Sequence, residues 1–271
     1  MTEKIWFVTG ASKGFGRIWT EAALKRGDKV AATARHIGDV QDLAETYGDL
    51  ALPIVLDVTD RDAVFAAVKQ AHEHFGRIDV VINNAGYGLF GTVEEVSEKE
   101  ARAQIETNLF GALWVLQAAL PIMRAQESGH LLTVSSIGGV SAFPTVGLYH
   151  ASKWGLEGLN QALAQEVADF GIKVTLIEPA GYSTDWSGKS AAHAKEIAAY
   201  EPVREKRREM NKGRKQGDPH ATPDAILRVV DAENPPLRFL LGSVGLPLIK
   251  KDYESRLAEW DDWNELSSKA E

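Results

Sequence analysis

The sequence predicts an α/β fold of the doubly wound kind, a parallel sheet of about seven strands with helices on both faces. Three observations carry that expectation. Short apolar runs alternate with amphipathic stretches along most of the chain, the pattern of repeated βαβ units. The first apolar run feeds straight into a glycine-rich turn and then an amphipathic segment. No internal repeat and no Pro-, Gly- or Ser-rich linker divides the 271 residues, a length ordinary for one such domain.

The elements follow in order. Lys4 to Thr9 (Lys-Ile-Trp-Phe-Val-Thr) is apolar enough for a strand buried on both faces. The turn Gly10-Ala11-Ser12-Lys13-Gly14-Phe15-Gly16 comes next, then a helix whose apolar stripe holds Ile18, Ala22, Ala23 and Leu24. Further strands are expected at Val30–Thr33, Ala51–Leu56, Val80–Ile82, Leu131–Val134, Val174–Ile177 and Leu237–Leu241. Helical stretches lie between them, at about residues 39–47, 61–75, 98–125, 147–169 and 223–232. From Tyr182 to about Pro223 the rhythm lapses, and a loop of that length is functional or mobile. From about Leu246 to residue 271 a C-terminal amphipathic helix is expected to cap the open edge of the sheet.

A net charge of −8 and a pI near 5.5 argue against nucleic acid as the main partner. No apolar run is expected to span a membrane, and no basic-apolar-small leader pattern precedes the first strand. With no cysteine, disulfides and thiol catalysis are excluded. No His or carboxylate cluster has the spacing of a metal site, so none is expected. Cytoplasmic residence is the default expectation.

The chemistry is carried by a few spacings. The glycine turn lets backbone approach a pyrophosphate, and a helix N-terminus offers free N–H groups and the positive end of its dipole. Its spacing is Gly-x3-Gly-x-Gly, not the commoner Gly-x-Gly-x2-Gly. Tyr149 and Lys153 are four apart, so on a helix they share a face. An ammonium beside a phenol favours the phenolate and should lower its pKa, fitting the tyrosine for general acid–base work. Ser136, thirteen residues before Tyr149, would hold the reacting oxygen. Asn83, Ser136 and Pro179 all fall just after expected strands, where such sheets bind ligands.

Together these residues resemble the single-domain short-chain dehydrogenase/reductase family, of the carbonyl reductase and hydroxysteroid dehydrogenase type. The resemblance runs from Lys4 to about Leu241. It rests on Thr9-Gly10-x3-Gly14-x-Gly16, Asn83-Asn84-Ala85-Gly86, Asn108, Ser136 and Tyr149-x3-Lys153, in that order. It implies a Rossmann-type fold with a substrate lid at about residues 182–223. It also implies that Tyr149 exchanges a proton with a carbonyl or alcohol, that Ser136 orients the substrate oxygen, and that Asn108 holds a relay water. Lys153 would lower the tyrosine pKa and bind the nicotinamide ribose. The cofactor contacts it implies are Gly10, Ser12, Lys13, Gly14, Phe15 and Gly16 in the turn, and Asn84, Ala85 and Gly86 behind the fourth strand. Asp57 and Val58 would meet the adenine, and Pro179, Gly181 and Thr184 the nicotinamide side. The chain has Pro179-Ala180-Gly181 where the family usually shows Pro-Gly, which puts the backbone path there in doubt.

NADP is expected over NAD. Where an NAD site places an acid after its second strand, this chain has Ala34 and then Arg35, with Lys13 nearby in the turn. The bland alternative is that both cations are solvated surface charges. Tyr182, Trp186 and Tyr200 are candidates for an apolar pocket with Phe143, Val146 and Leu148, or for packing the lid down. Arg204 to Lys215 holds seven basic residues against two acidic ones, either a solvated helix face or a receptor for an anionic substrate tail. His150 points off the Tyr149/Lys153 face and is expected to be structural; His72 and His74 belong to a surface helix. Trp114 and Trp154 lie on the long helices that often form subunit contacts in the family, so a homodimer or homotetramer is implied. The expected activity is interconversion of a carbonyl and an alcohol, on an apolar small molecule. The alternative is an NADPH-binding regulator without catalysis.

Overall fold

The computed structural model describes residues 3–188 and 190–270. Its strands are β1 (Ile5–Val8), β2 (Lys29–Ala34), β3 (Ala51–Val55), β4 (Val80–Asn83), β5 (Leu89–Phe90), β6 (Gly129–Val134), β7 (Ile172–Pro179), β8 (Ala192–His193) and β9 (Arg238–Leu241). Seven of them form one parallel sheet in the order β3-β2-β1-β4-β6-β7-β9. The order reverses direction between β1 and β4, which opens a crevice beyond their carboxyl ends. The small strands β5 and β8 pair separately. Two-residue strands carry too little alternation to be read from sequence, and neither was expected.

Each strand of the sheet sends alternate residues to opposite faces. Trp6 and Val8 share a core cluster with Trp19 and Leu24 of α1 (Gly14–Arg26), Leu43 of α2 (Gln41–Tyr47) and Ile226 and Val230 of α8 (Pro223–Asp231). Phe7 and Val81 meet Val68 of α3 (Arg61–Phe75), Val115 of α5 (Gly111–Gln126) and Leu163 of α6 (Gly147–Glu166). Helix ends follow capping chemistry. Asp60 accepts the Ala63 N–H to start α3, and Ser97 and Glu100 close a capping box on α4 (Glu98–Ile105). Gly27 and Gly76 end α1 and α3 with φ of +93° and +83°, where a side chain would be strained.

Four expectations change. The helix expected over 98–125 is broken by a π-helical turn, Glu106–Phe110, that carries Asn108 inward. The same bent helix, 98–126, holds a stretch of mean hydropathy 1.2 that is long and apolar enough, by length and composition, to cross a membrane, contrary to the expectation. In this fold its Val115, Leu116, Ala119 and Met123 are buried against the sheet. Within the expected lid, α7 (Glu201–Asn211) supplies a helix where the rhythm had lapsed, because its residues are almost wholly polar and show no apolar stripe. The C-terminal α9 (Gly245–Ser267) does more than cap an edge: its first turns reach the cleft, while Trp260 and Trp263 near its end are exposed.

Candidate active site

The carboxyl ends of the strands open into a cleft of about 1890 Å³. Of the expected catalytic and cofactor-binding residues, all but Gly16 and Asn108 line it. Those two stand directly behind the wall. A Cβ on Gly16 would lie 2.3 Å from the Gly10 carbonyl oxygen and 2.4 Å from Asn84 Nδ2. Only glycine lets α1 start this close to the loop.

The glycine loop is shaped from below. Gly10 and Gly14 take φ of +67° and +57°. Asn84 Nδ2 donates to the carbonyls of Thr9 and Gly10, at 2.9 and 3.0 Å, and the Thr9 hydroxyl accepts the N–H groups of Asn84 and Ala85, each at 3.0 Å. The Asn84 side chain is therefore engaged in holding the loop. Lys13 is the N-cap residue of α1 but makes no side-chain cap, and among the described residues no side chain accepts from the N–H groups of the first turn. Phe15 stacks on Trp19 at 4.9 Å and packs edge-on to Tyr182 at 5.2 Å. An uncapped helix start, a loop that only glycine can follow and a cleft beside them fit the pyrophosphate of a dinucleotide.

Beyond the loop, Ala34 is the last residue of β2 and Arg35 stands exposed on the cleft wall. Lys13 instead reaches across the mouth to Asp185, 2.8 Å away. Asp57 accepts from both the N–H and the hydroxyl of Thr59, at 3.0 and 2.8 Å, in a tight turn at the cleft wall. Val58 is buried there, close against Gly111. The extra residue before Gly181 is absorbed by the sheet. β7 runs through Pro179, and the Ala180 N–H donates to the Leu241 carbonyl at 3.0 Å, so Pro179 and Gly181 both face the cleft. Thr184 lines it one turn further on.

On the cleft floor, α6 presents Tyr149 and Lys153, 6% and 5% exposed, from one face. Lys153 Nζ lies 5.8 Å from the centre of the Tyr149 ring and donates to the Val134 carbonyl at 2.7 Å. Ser136, just after β6, accepts the Gly138 N–H at 3.0 Å and acts on the Tyr149 phenol, favouring its phenolate. Asn108 Nδ2 donates to the Tyr87 carbonyl and the Ser152 hydroxyl, while its Oδ1 accepts the Tyr87 N–H at 3.1 Å. It thereby fixes the backbone beside Gly86, whose Cβ would come within 3.0 Å of it.

The expected depression of the tyrosine pKa is overturned. Burial pushes the Tyr149 phenol up to about 12, with Ser136 pulling the other way. Burial also pulls the Lys153 ammonium down to about 8, against the pull of Glu157. Spacing alone shows which groups are neighbours and not how dry they are. Here desolvation outweighs the pull of Ser136.

Among the pocket candidates, Tyr182, Trp186, Phe143 and Val146 line the cleft; Leu148 and Tyr200 do not. Tyr200 instead donates to Glu94 at the surface. His150, expected to be structural, also stands at the cleft. Its Nδ1 accepts the Phe143 N–H at 3.2 Å, and its ring sits 5.9 Å from that of Tyr149. The segment after Ser136 folds back over the helix start, which no local pattern announces. Pro247, Leu248 and Lys251 of α9 also line the cleft, although nothing in that amphipathic run marks them.

Comparison with known proteins agrees with this geometry. Residues 4–195 match the family model of the short chain dehydrogenases. An oxidoreductase of Botryotinia fuckeliana is 42% identical over 269 residues, covering 97% of this chain and 98% of its own. A short-chain dehydrogenase from Streptomyces avermitilis superposes with a TM-score of 0.92 at 38% identity, covering 100% of this chain and 99% of its own. A Burkholderia cenocepacia short chain dehydrogenase, solved in complex with NADP, has a TM-score of 0.77 at 25% identity, covering 96% and 97%. A seven-stranded doubly wound sheet, a glycine loop built for a dinucleotide and these matches make the chain a member of the short-chain dehydrogenase/reductase family of NAD(P)-dependent oxidoreductases.

Proposed function

We propose that the enzyme is NADP-dependent and interconverts a ketone or aldehyde with its alcohol, using Tyr149 as the general acid and base. The observation that carries the reading is the meeting of Tyr149, Ser136 and Lys153 on the floor of one cleft that also holds the glycine loop. A bound nicotinamide would supply the hydride. The chain's own part is proton handling and positioning. A phenol whose burial holds it protonated through neutral pH donates to a carbonyl oxygen as charge develops there. Ser136 orients that oxygen, and Lys153 keeps a positive charge beside the phenol. Asn108 holds the backbone around Tyr87 and Gly86 that frames the nicotinamide end.

Arg35 supports the choice of NADP. It stands exposed at the cleft just after a strand end without a carboxylate, free to grip a 2′-phosphate. The aromatic lining supports an apolar substrate body, and exposed Phe110 and Trp154 on the long helices support a homo-oligomer built through that face. The test is oxidation of NADPH and of NADH, followed by absorbance, against aliphatic, aromatic, steroidal and β-keto carbonyls. Carbonyl-dependent oxidation with NADPH preferred is expected. Saturable NADPH binding with no turnover across the panel would return the reading to a non-catalytic regulator.

A further inference from the structure

The cations of the basic run sort into those paired internally, those that lie exposed with no ion pair among the described residues (Lys206, Arg214 and Lys215), and one that is unpaired and half-buried. Arg204 pairs with Glu95 at 2.6 Å, a carboxylate whose side chain is 1% exposed. Arg208 pairs with Glu201, and Lys212 with Glu209 at 3.3 Å. Arg207, half-buried, lines the cleft and makes no ion pair among the described residues. One guanidinium N–H donates to the Thr145 hydroxyl. Its carbon lies over the Phe90 ring, 5.0 Å from the centre. A guanidinium carries five N–H donors, so most of this one's capacity is unspent.

Arg207 is joined to the reacting end by an unbroken aromatic wall. Tyr149 lies 4.9 Å from Trp186, Trp186 lies 5.3 Å from Phe90, and Phe90 carries Arg207. A desolvated cation without an internal counter-charge is unfavourable until an anion meets it. A single guanidinium matches one carboxylate in charge and in its two-pronged geometry. A phosphate dianion would bring a second charge into the same half-buried place. At the mouth, Lys212, Arg214, Lys215 and Lys251 outnumber Glu209 and Asp185, so the entrance attracts anions.

We propose that the substrate carries a carboxylate remote from its carbonyl, seated on Arg207, with an apolar body lying along Trp186 and Phe90. This rests on the carbonyl-reducing reading, and two independent measurements separate them. The first is turnover of benzoylpropionate and benzoylbutyrate, each against its own methyl ester, by the native enzyme and by Arg207→Gln. The native enzyme should favour at least one acid over its ester by about tenfold or more in kcat/KM, mostly through KM. That ratio should collapse in Arg207→Gln and persist in Thr145→Val, which removes the hydroxyl and leaves the guanidinium. Because each ratio compares two substrates on one protein, a loosened lid cancels.

The second measurement is calorimetric binding of phenylbutyrate and phenylbutyramide, with and without NADPH, which needs no turnover. Tighter binding of the acid, lost in Arg207→Gln, supports the site even if no carbonyl is reduced. Equal binding of acid and amide, or an acid preference that survives Arg207→Gln, overturns the proposal whether or not carbonyls are reduced.

Discussion

Glu178, at the carboxyl end of β7, lies against Glu157 of α6, and the Arg238 guanidinium spans both, 2.9 Å from Glu157 and 3.6 Å from Glu178. One oxygen of each carboxylate is buried without a hydrogen-bond partner, which a proton shared between them would remedy. Burial and the Glu157 charge push Glu178 up to about 8, against the pull of Arg238. Its folded pKa is thus above its ordinary value of 4.5, so the native state binds the extra proton. The stability this contributes is present below the ordinary value and lost as pH rises through about 8. Glu178→Gln should gain on the native protein with rising pH, by on the order of 2 kcal/mol at the alkaline end. Melting temperatures against pH check this; parallel curves for the two proteins would contradict it.

Opposite pH dependences are expected for the two directions of reaction. The Lys153 ammonium, lowered to about 8, loses its charge above that pH, while the Tyr149 phenol, raised to about 12, stays protonated. Carbonyl reduction needs the protonated phenol beside a cation, so its kcat/KM should be level near neutrality and fall as pH passes about 8. Alcohol oxidation needs the phenolate beside the same ammonium, so it should rise with pH up to about 8 and level off above it. Reduction that accelerates at alkaline pH would oppose this assignment.

Arg35 and Lys13 should contribute unequally to NADPH affinity. Lys13 is held by Asp185, whereas Arg35 stands exposed at the cleft wall. Arg35→Ala should weaken NADPH by about 10- to 100-fold, the worth of a charge-assisted hydrogen bond, and leave NADH nearly unchanged. Lys13→Ala should cost less. Fluorescence titration of both cofactors decides it, and equal losses for NADPH and NADH in Arg35→Ala would remove the argument for the 2′-phosphate.

Two glycines make a matched pair. Gly16→Ala places its Cβ 2.3 Å from a backbone oxygen, so the loop must move, and NADPH affinity should fall by about 100-fold or more. Gly158 of α6 has nothing within 4 Å of its added Cβ. Gly158→Ala should raise stability by about 0.5–1 kcal/mol through helix propensity alone. Thermal unfolding with cofactor titration measures both.

Much of this molecule was legible in its sequence because the informative patterns are local. Strand alternation and helix stripes placed the seven-stranded sheet, and the glycine spacing placed the loop beside Gly10 and Gly14. Ser136, Pro179, Tyr149 and Lys153 stand out because they fall at strand ends or on one helix face, whereas Asn108 and most of the cofactor contacts were expected only from the family resemblance. What could not be read depends on tertiary closure. His150 enters the cleft because a loop folds back on its helix, and α7 carries no apolar stripe. The π-turn that aims Asn108 has no residue signature. The direction of the Tyr149 shift depends on dryness, which spacing does not encode.

The most direct test of the account is reduction of the best carbonyl from the panel by the native enzyme and by Tyr149→Phe, with NADPH binding measured on both. Loss of turnover by about a thousandfold or more, with NADPH affinity held within about threefold, is the predicted result. A Tyr149→Phe enzyme that reduces the carbonyl at a native rate would contradict the central claim.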